Sequence, residues 1–137
     1  MKTTLSLLCV GLLLPSAALA APVTVAIRGV ASGKGQIYAS LCTRAEFLQK
    51  CALQQATPAK RGGVILKFPR VQPGHYALMV YHDENRNRTL DRGLFGIPTE
   101  GTGFGRDAVG RRGPPKFEDA VQHVPASGFA TQLKLRY

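Results

Sequence analysis

Apolar and polar residues alternate over several short stretches of the chain, which is the pattern of half-buried β-strands. The first two stretches are Val23–Ile27 and Ile37–Leu41. The turn sequence Ser32-Gly33-Lys34-Gly35 lies between them, so they are predicted to pair as a β-hairpin. A third strand is predicted around Val64–Phe68, and a last one over Gln132–Tyr137.

One stretch, His75–Tyr81, is apolar on both faces and follows the turn pair Pro73-Gly74. The residues on its two faces are Tyr76, Leu78 and Val80 against Ala77, Met79 and Tyr81. A strand that buries both faces lies at the centre of a sheet or under another element. We therefore expect His75–Tyr81 to be a central strand.

Helical patterns are few. A short helix is predicted after Thr43, because Thr43 can cap it and Phe47 can pack inward. Phe117–Val121 predicts another strand or one helical turn. Since strands and helices do not alternate regularly, the fold class is predicted to be all-β, an antiparallel two-sheet sandwich with one short helix.

The segment Glu84–Pro115 has no sustained period and is rich in glycine and proline. A loop of this length in a compact domain is usually functional or disordered. Its apolar residues predict ordered packing instead of disorder. They are Leu94, Phe95, Ile97 and Phe104.

Residues 1–20 are predicted to be a cleaved signal peptide, because a positive start and an apolar run precede the small-x-small sequence Ala18-Leu19-Ala20. Residues 21–137 are then one domain of ordinary size. No later segment approaches the length of apolar residues that a transmembrane helix needs. We expect a bacterial protein that is periplasmic or secreted.

The cysteines fit that location. Cys9 lies in the apolar run of the signal peptide, which leaves Cys42 and Cys51 in an oxidising compartment. We expect these two to form a disulfide. The alternative is a redox or metal-binding pair, but neither a CxxC spacing nor a nearby histidine supports it.

The formal net charge is +10. Such a charge is typical of nucleic-acid binding, but export and the lack of aromatic residues among the basic ones argue against nucleic acid. Anionic envelope polysaccharide and lipid headgroups are the partners we expect. The alternative is a basic surface that only aids solubility.

The sequence after the central strand resembles a calcium loop, with oxygen-bearing side chains at alternate positions. The ligands it predicts are Asp83, Asn85, Asn87, the backbone carbonyl of Thr89, and Asp91. An EF-hand is excluded, because Arg88 stands at the sixth position instead of Gly and Leu94 at the twelfth instead of Glu. A weak Ca²⁺ site remains, and its alternative is a turn in which Asp and Asn bond their own backbone.

Two classes of function follow. The first is an envelope binding module without catalysis, which the lack of a GxSxG or HExxH motif favours. The second is a small hydrolase or carbohydrate-active enzyme, with Glu100 and either Asp83 or Asp91 as paired carboxylates and His82 nearby. Glu100 is equally explained as a hydrogen-bond acceptor that joins its own loop to a neighbouring backbone.

Finally, the run HDENRNRTLDRGLFGIPTEGTGFG, followed by GPPKFEDA, resembles the hallmark of a family of small exported bacterial proteins known as a domain of unknown function. The preceding FPRVQPGHYALMVYHD resembles the Pro-Gly-Tyr strand of transthyretin-like (prealbumin-like) sandwiches, which leads into a loop at one end. The resemblance implies a prealbumin-like fold and no established activity. This chain has Arg86 and Arg88 where the family often has Gly after each Asn.

Overall fold

Eight β-strands form two sheets in the computed structural model, which describes residues 19–137. The strands are β1 (Ala21–Val30), β2 (Gln36–Cys42), β3 (Leu53–Pro58), β4 (Gly62–Val71), β5 (Gly74–Asp83), β6 (Thr102–Phe104), β7 (Val121–Val124) and β8 (Phe129–Lys134). One sheet has the order β4-β1-β8. The other has the order β3-β2-β5-β6, with β7 also paired to β5. The predicted all-β sandwich is confirmed.

The two sheets bury one core between them, because alternate residues of each strand point inward. Val25 and Ile27 of β1 share this core with Ile37 of β2 and Leu78 of β5. The pairings between these strands are antiparallel, except that β8 runs parallel to β1. The alternating pattern in the sequence thus reports correctly which side chains are inside.

The predicted hairpin between the first two strands is wrong. Strand β1 pairs with β4 and β8, whereas β2 pairs with β3 and β5, so the turn at residues 32–35 carries the chain from one sheet to the other. The physical reason is that both strands bury their apolar faces in the same core from opposite sides. Strand β3 was not predicted, because its sequence Leu53–Pro58 is largely polar and forms a sheet edge.

The predicted helix after Thr43 is also absent, and a hydrogen-bonded turn takes its place. The Glu46 carboxylate accepts hydrogen bonds from the Thr43 backbone and hydroxyl, and Leu48 leaves the helical region with φ 61°. The disulfide between Cys42 and Cys51 closes this segment. The one α-helix of the described residues, α1, lies at Phe117–Ala120 and leads directly into β7.

Strand β5 is central, as predicted. It pairs with β2 on one side and with β6 and β7 on the other. Leu78 faces the core between the sheets, and Ala77 on the opposite face is covered by Phe117 and Ala120 of α1. Helix α1 therefore provides the second layer that a strand with two apolar faces needs.

The predicted signal peptide, residues 1–20, falls almost wholly outside the described residues, as does Cys9. None of the helices in residues 19–137 has the length and apolar character needed to span a bilayer.

Candidate functional site

The loop between β5 and β6, residues 84–101, covers one end of the sandwich, and we call it the β5–β6 loop. Two other connections meet it there. The imidazole of His82 contacts the Lys34 carbonyl in the β1–β2 turn, and the Ala59 N–H, next to the β3–β4 turn, donates to the Gly35 carbonyl at 3.2 Å. The backbone of Gly35 in turn packs on Asp83. Three connections thus form one continuous surface.

His82 is a structural residue in this arrangement. It is fully buried, its Nε2 lies 2.7 Å from the Lys34 carbonyl oxygen, and its Nδ1 lies 2.7 Å from the Tyr137 hydroxyl. The Lys34 carbonyl oxygen can only accept, so Nε2 carries a hydrogen and donates to it, while Nδ1 contacts the Tyr137 hydroxyl, whose pKa is raised by burial. The Ala31 N–H donates to the same hydroxyl. Both ring nitrogens of His82 are therefore occupied.

Asp83 holds the start of the loop. Its side chain is fully buried, and its two oxygens accept the N–H groups of Asn87 at 3.1 Å and Arg88 at 2.9 Å. Asn85 Oδ1 shares the Asn87 N–H at 3.1 Å, and Asn87 Oδ1 accepts the Thr89 N–H at 2.9 Å. These are the side-chain-to-backbone bonds of Asx-turns.

Asp91 completes the turn. Its carboxylate accepts hydrogen bonds from the side-chain amides of Asn85 and Asn87. All five residues of the predicted metal site, Asp83 through Asp91 at alternate positions, thus lie in one compact turn. The metal-binding role itself stays a prediction.

Glu100 fastens the far end of the loop to this turn. It is 7% exposed, and its two oxygens accept the N–H groups of Glu84 and Asp91, both at 3.1 Å. Glu100 therefore has the structural role that its sequence position allowed: it is a hydrogen-bond acceptor that joins its own loop to neighbouring backbone. The sequence carries no signal for these particular partners, because the contacts join residues sixteen and nine positions apart.

Two arginines in the turn have an uncommon backbone. Arg86 and Arg88 have φ of 62° and 64°, in the left-handed region that favours glycine. Both side chains are exposed. Arginine itself gives no sequence signal for this conformation, which glycine, asparagine and aspartate adopt more readily.

The middle of the loop forms a small hairpin, whose end at residues 93–97 we call the tip. The Thr99 N–H donates to the Asp91 carbonyl at 2.9 Å, Arg92 pairs with Pro98, and the Gly93 N–H donates to the Ile97 carbonyl at 2.8 Å. The Arg92 guanidinium adds a bond to the Gly96 carbonyl at 2.9 Å. The tip is thus tied to the rest of the loop by its own hydrogen bonds.

The expected packing of the apolar residues of this segment is wrong for three of the four. Leu94, Phe95 and Ile97 are exposed at the tip, since the hairpin closes on itself and reaches no core. Phe104 alone is packed, with its ring edge-on to Phe47. An apolar side chain favours burial, but the local sequence does not show which other residues would bury it.

Within residues 19–137, no three His, Cys, Asp or Glu side chains come together as potential metal ligands. His75 and His123 lie side by side on β5 and β7, with ring centroids 5.0 Å apart.

Burial, aided by Asp83 and other neighbouring acidic groups, raises the pKa of Tyr81 to about 12, so this phenol remains neutral at physiological pH.

A family model described as "Uncharacterized protein conserved in bacteria (DUF2141)" matches residues 25–131. The matched region includes the whole β5–β6 loop. No curated protein and no solved structure matches the chain.

Proposed function

Because this chain belongs to the DUF2141 family of uncharacterized bacterial proteins, we propose its function from the β5–β6 loop: it is an exported envelope module that binds an anionic partner. The loop provides a rigid base of buried carboxylates and an exposed rim of arginines. The partner is a surface that carries phosphate, sulfate or carboxylate groups, which guanidinium groups bind well.

The observation that carries the proposal is the positive φ of Arg86 and Arg88. A residue other than glycine in this conformation costs about 1 kcal/mol, which glycine would avoid. Strained positions that persist in a structure are a basis for a functional hypothesis. Within residues 19–137 neither arginine takes part in a salt bridge, so both guanidinium groups are available to a partner.

The charges around the loop support the same conclusion. Asp83 and Glu100 are buried and their carboxylates accept backbone N–H groups, so they contribute little to the outer surface. The exposed basic residues at this end of the sandwich are Lys34, Lys60, Arg61, Arg86, Arg88 and Arg92, and the partly exposed acidic residues of the loop are Glu84 and Asp91. Basic residues thus outnumber acidic ones, and an excess of positive charge attracts an anionic partner over a distance set by the salt concentration.

The test replaces Arg86 and Arg88 together by glycine. We expect the free energy of unfolding to stay within about 1 kcal/mol of the wild type, because relief of the left-handed strain is offset by the greater freedom of glycine in the unfolded chain. Binding to an anionic probe should weaken. The measurements are urea unfolding and the salt concentration that elutes the protein from a sulfated polysaccharide column.

The matched control replaces Arg111 and Arg112 by glycine, which removes the same charge from another exposed segment. This pair should elute close to the wild type. Equal losses for the two pairs would show that binding follows net charge alone, and the loop would then have no special role.

Calcium binding by the same turn is a second candidate. The observation in its favour is that the amides of Asn85 and Asn87 converge on the Asp91 carboxylate, while Asp83 and Asn85 share one N–H donor. The oxygens of Asp83 and Asn85 each accept one hydrogen bond and so retain a lone pair that a hard cation can use, whereas Asn87 Oδ1 accepts both the N–H and the hydroxyl of Thr89. The ion has to displace the two amide donors from Asp91, and the arginines oppose it, so the expected dissociation constant is about 10⁻⁴ to 10⁻³ M.

If this second candidate is correct, calcium at roughly ten times its dissociation constant should stabilise the fold by about 1.4 kcal/mol and raise Tm. Asp91→Ala should abolish the shift, whereas Asp119→Ala, an exposed acidic residue on α1, should retain it. Differential scanning calorimetry with calcium and with magnesium provides the measurement. A wild-type Tm that does not move at several millimolar calcium would leave the Asx-turn as the whole role of these residues.

The hydrolase hypothesis has less support from the geometry. Both Glu100 oxygens accept backbone N–H groups, and both ring nitrogens of His82 are occupied. Two surface depressions in residues 19–137 are lined by residues such as Ile65 and by the segment around Arg111. Neither of these two depressions includes the carboxylates of the loop.

Export to the periplasm or the cell exterior is part of the proposal, and the Cys42–Cys51 disulfide supports it because such bonds persist in oxidising compartments. The transthyretin-like assignment also remains a proposal. It is supported by β5, which begins at the Pro73-Gly74 turn, lies at the centre of its sheet and leads into a loop at one end.

A further inference from the structure

We infer that the tip is a membrane anchor: Leu94, Phe95 and Ile97 enter the headgroup region of an anionic lipid bilayer while the surrounding basic residues contact its phosphates. This inference rests on the proposed function and identifies the anionic partner as a lipid surface.

The exposure of the tip is the first argument. Leu94 is 83% exposed, Phe95 97% and Ile97 62%, and the three lie within four consecutive positions. Single exposed apolar residues are ordinary on a protein surface. A contiguous group that projects from one end of the molecule is typical of a site for a protein or membrane partner.

The second argument is that the tip is preorganised. The hydrogen bonds between Gly93 and Ile97 and between Asp91 and Thr99 hold the hairpin, and the Arg92 guanidinium fixes the Gly96 carbonyl. Phe95 has φ 60° and ψ 19°, a conformation that is rare for an aromatic residue. The hairpin thus holds a large apolar side chain in solvent at a conformational cost, and preorganisation reduces the entropy lost on binding.

The third argument is charge complementarity. Arg92 lies at the base of the tip, and the Asp83–Asp91 turn beside it carries Arg86 and Arg88. Lys34 and the Lys60-Arg61 pair lie in neighbouring connections at the same end. Each basic residue close to an anionic bilayer strengthens attachment about fivefold, and stable attachment needs such charges together with buried apolar groups.

The same features favour lipid over polysaccharide. A soluble anionic polysaccharide can form ion pairs with the arginines, but it has little apolar volume in which Leu94 and Ile97 could be buried. A bilayer interface provides both an anionic layer and, directly beneath it, an apolar one. The order of groups on the protein, apolar at the tip and basic around its base, corresponds to these two layers.

The absence of tryptophan from the sequence permits a site-specific test. Phe95→Trp introduces a single indole at the tip, and Ile65→Trp introduces one at an exposed apolar position of β4 that is 71% exposed. Each purified protein is mixed with vesicles of phosphatidylcholine, with or without phosphatidylglycerol. We expect the emission of the Phe95→Trp protein to shift to the blue and to become protected from a water-soluble quencher only with phosphatidylglycerol. The Ile65→Trp protein should show neither change.

Affinity is measured by sedimentation with the same vesicles. Phe95→Ser should weaken binding roughly tenfold or more, since it removes one large apolar group from the bilayer. Ile65→Ser should leave binding unchanged. Both variants replace exposed side chains, and circular dichroism and urea unfolding verify that each retains the fold.

Three outcomes would overturn the inference. If the wild type sediments with anionic vesicles but the Trp emission at position 95 does not shift, attachment is electrostatic only, and the anionic-partner proposal stands without the anchor. If the wild type binds a soluble sulfated dextran but not vesicles, the partner is a polysaccharide. If it binds neither probe, the proposed function fails as well.

Discussion

Gly35→Ala should destabilise the protein by about 2 to 4 kcal/mol. An added Cβ would lie 1.8 Å from the Asp83 carbonyl oxygen and 2.7 Å from the Glu84 Cα, and both atoms belong to the backbone. Gly35 also has φ +68°, which alanine adopts only with strain. The β1–β2 turn would have to move away from the base of the β5–β6 loop. Urea unfolding measures the loss in the free energy of unfolding, with one shared m-value for the variant and the wild type.

Gly33→Ala is the matched control in the same turn. Its added Cβ would have the Ala59 carbonyl as its nearest neighbour at 3.8 Å, an ordinary contact. We expect a change within about 0.5 kcal/mol. If the two alanine variants were equally stable, the turn would not be seated on Asp83 in solution.

Leu78→Ala should cost about 2 to 5 kcal/mol, because it opens a cavity in the core. Leu78 is fully buried on the central strand β5, between the two sheets. Neighbouring strands pair on both sides of β5, so the backbone has little freedom to collapse into the space. Chemical denaturation of the variant and the wild type provides the comparison.

Ile65→Ala serves as the control for this substitution, since Ile65 is exposed on β4. Its change should stay within about 0.5 kcal/mol. A loss below about 1 kcal/mol for Leu78→Ala would place that side chain on the surface and contradict the sandwich described above.

The strands that the sequence predicts well are those whose burial alternates. Val23–Ile27 and Ile37–Leu41 are strands with one face in the core, as their period of two indicates. The period of two does not specify which strands pair with each other, so the predicted hairpin between these two strands was wrong. It also does not detect β3, whose side chains are largely polar because it lies at a sheet edge.

The candidate site divides in a similar way. The spacing of Asp83, Asn85 and Asn87 predicted a turn in which these side chains converge, because Asp and Asn readily bond nearby backbone groups. The attachment of Glu100 to Glu84 and Asp91 depends on how the whole loop folds back, and local sequence does not encode it. The exposure of Phe95 likewise follows from the closure of the hairpin.

The parallel pairing of β8 with β1 has a consequence for the order of folding. Residues 23–28 align with residues 129–134, so the sheet β4-β1-β8 is complete only when segments about a hundred positions apart have met. Contacts between such distant segments form slowly, because a long stretch of chain must be closed before they stabilise anything. One edge of β1 stays without its partner strand until β8 has been synthesised. The sheet β4-β1-β8 therefore cannot be completed until almost the whole chain has been synthesised.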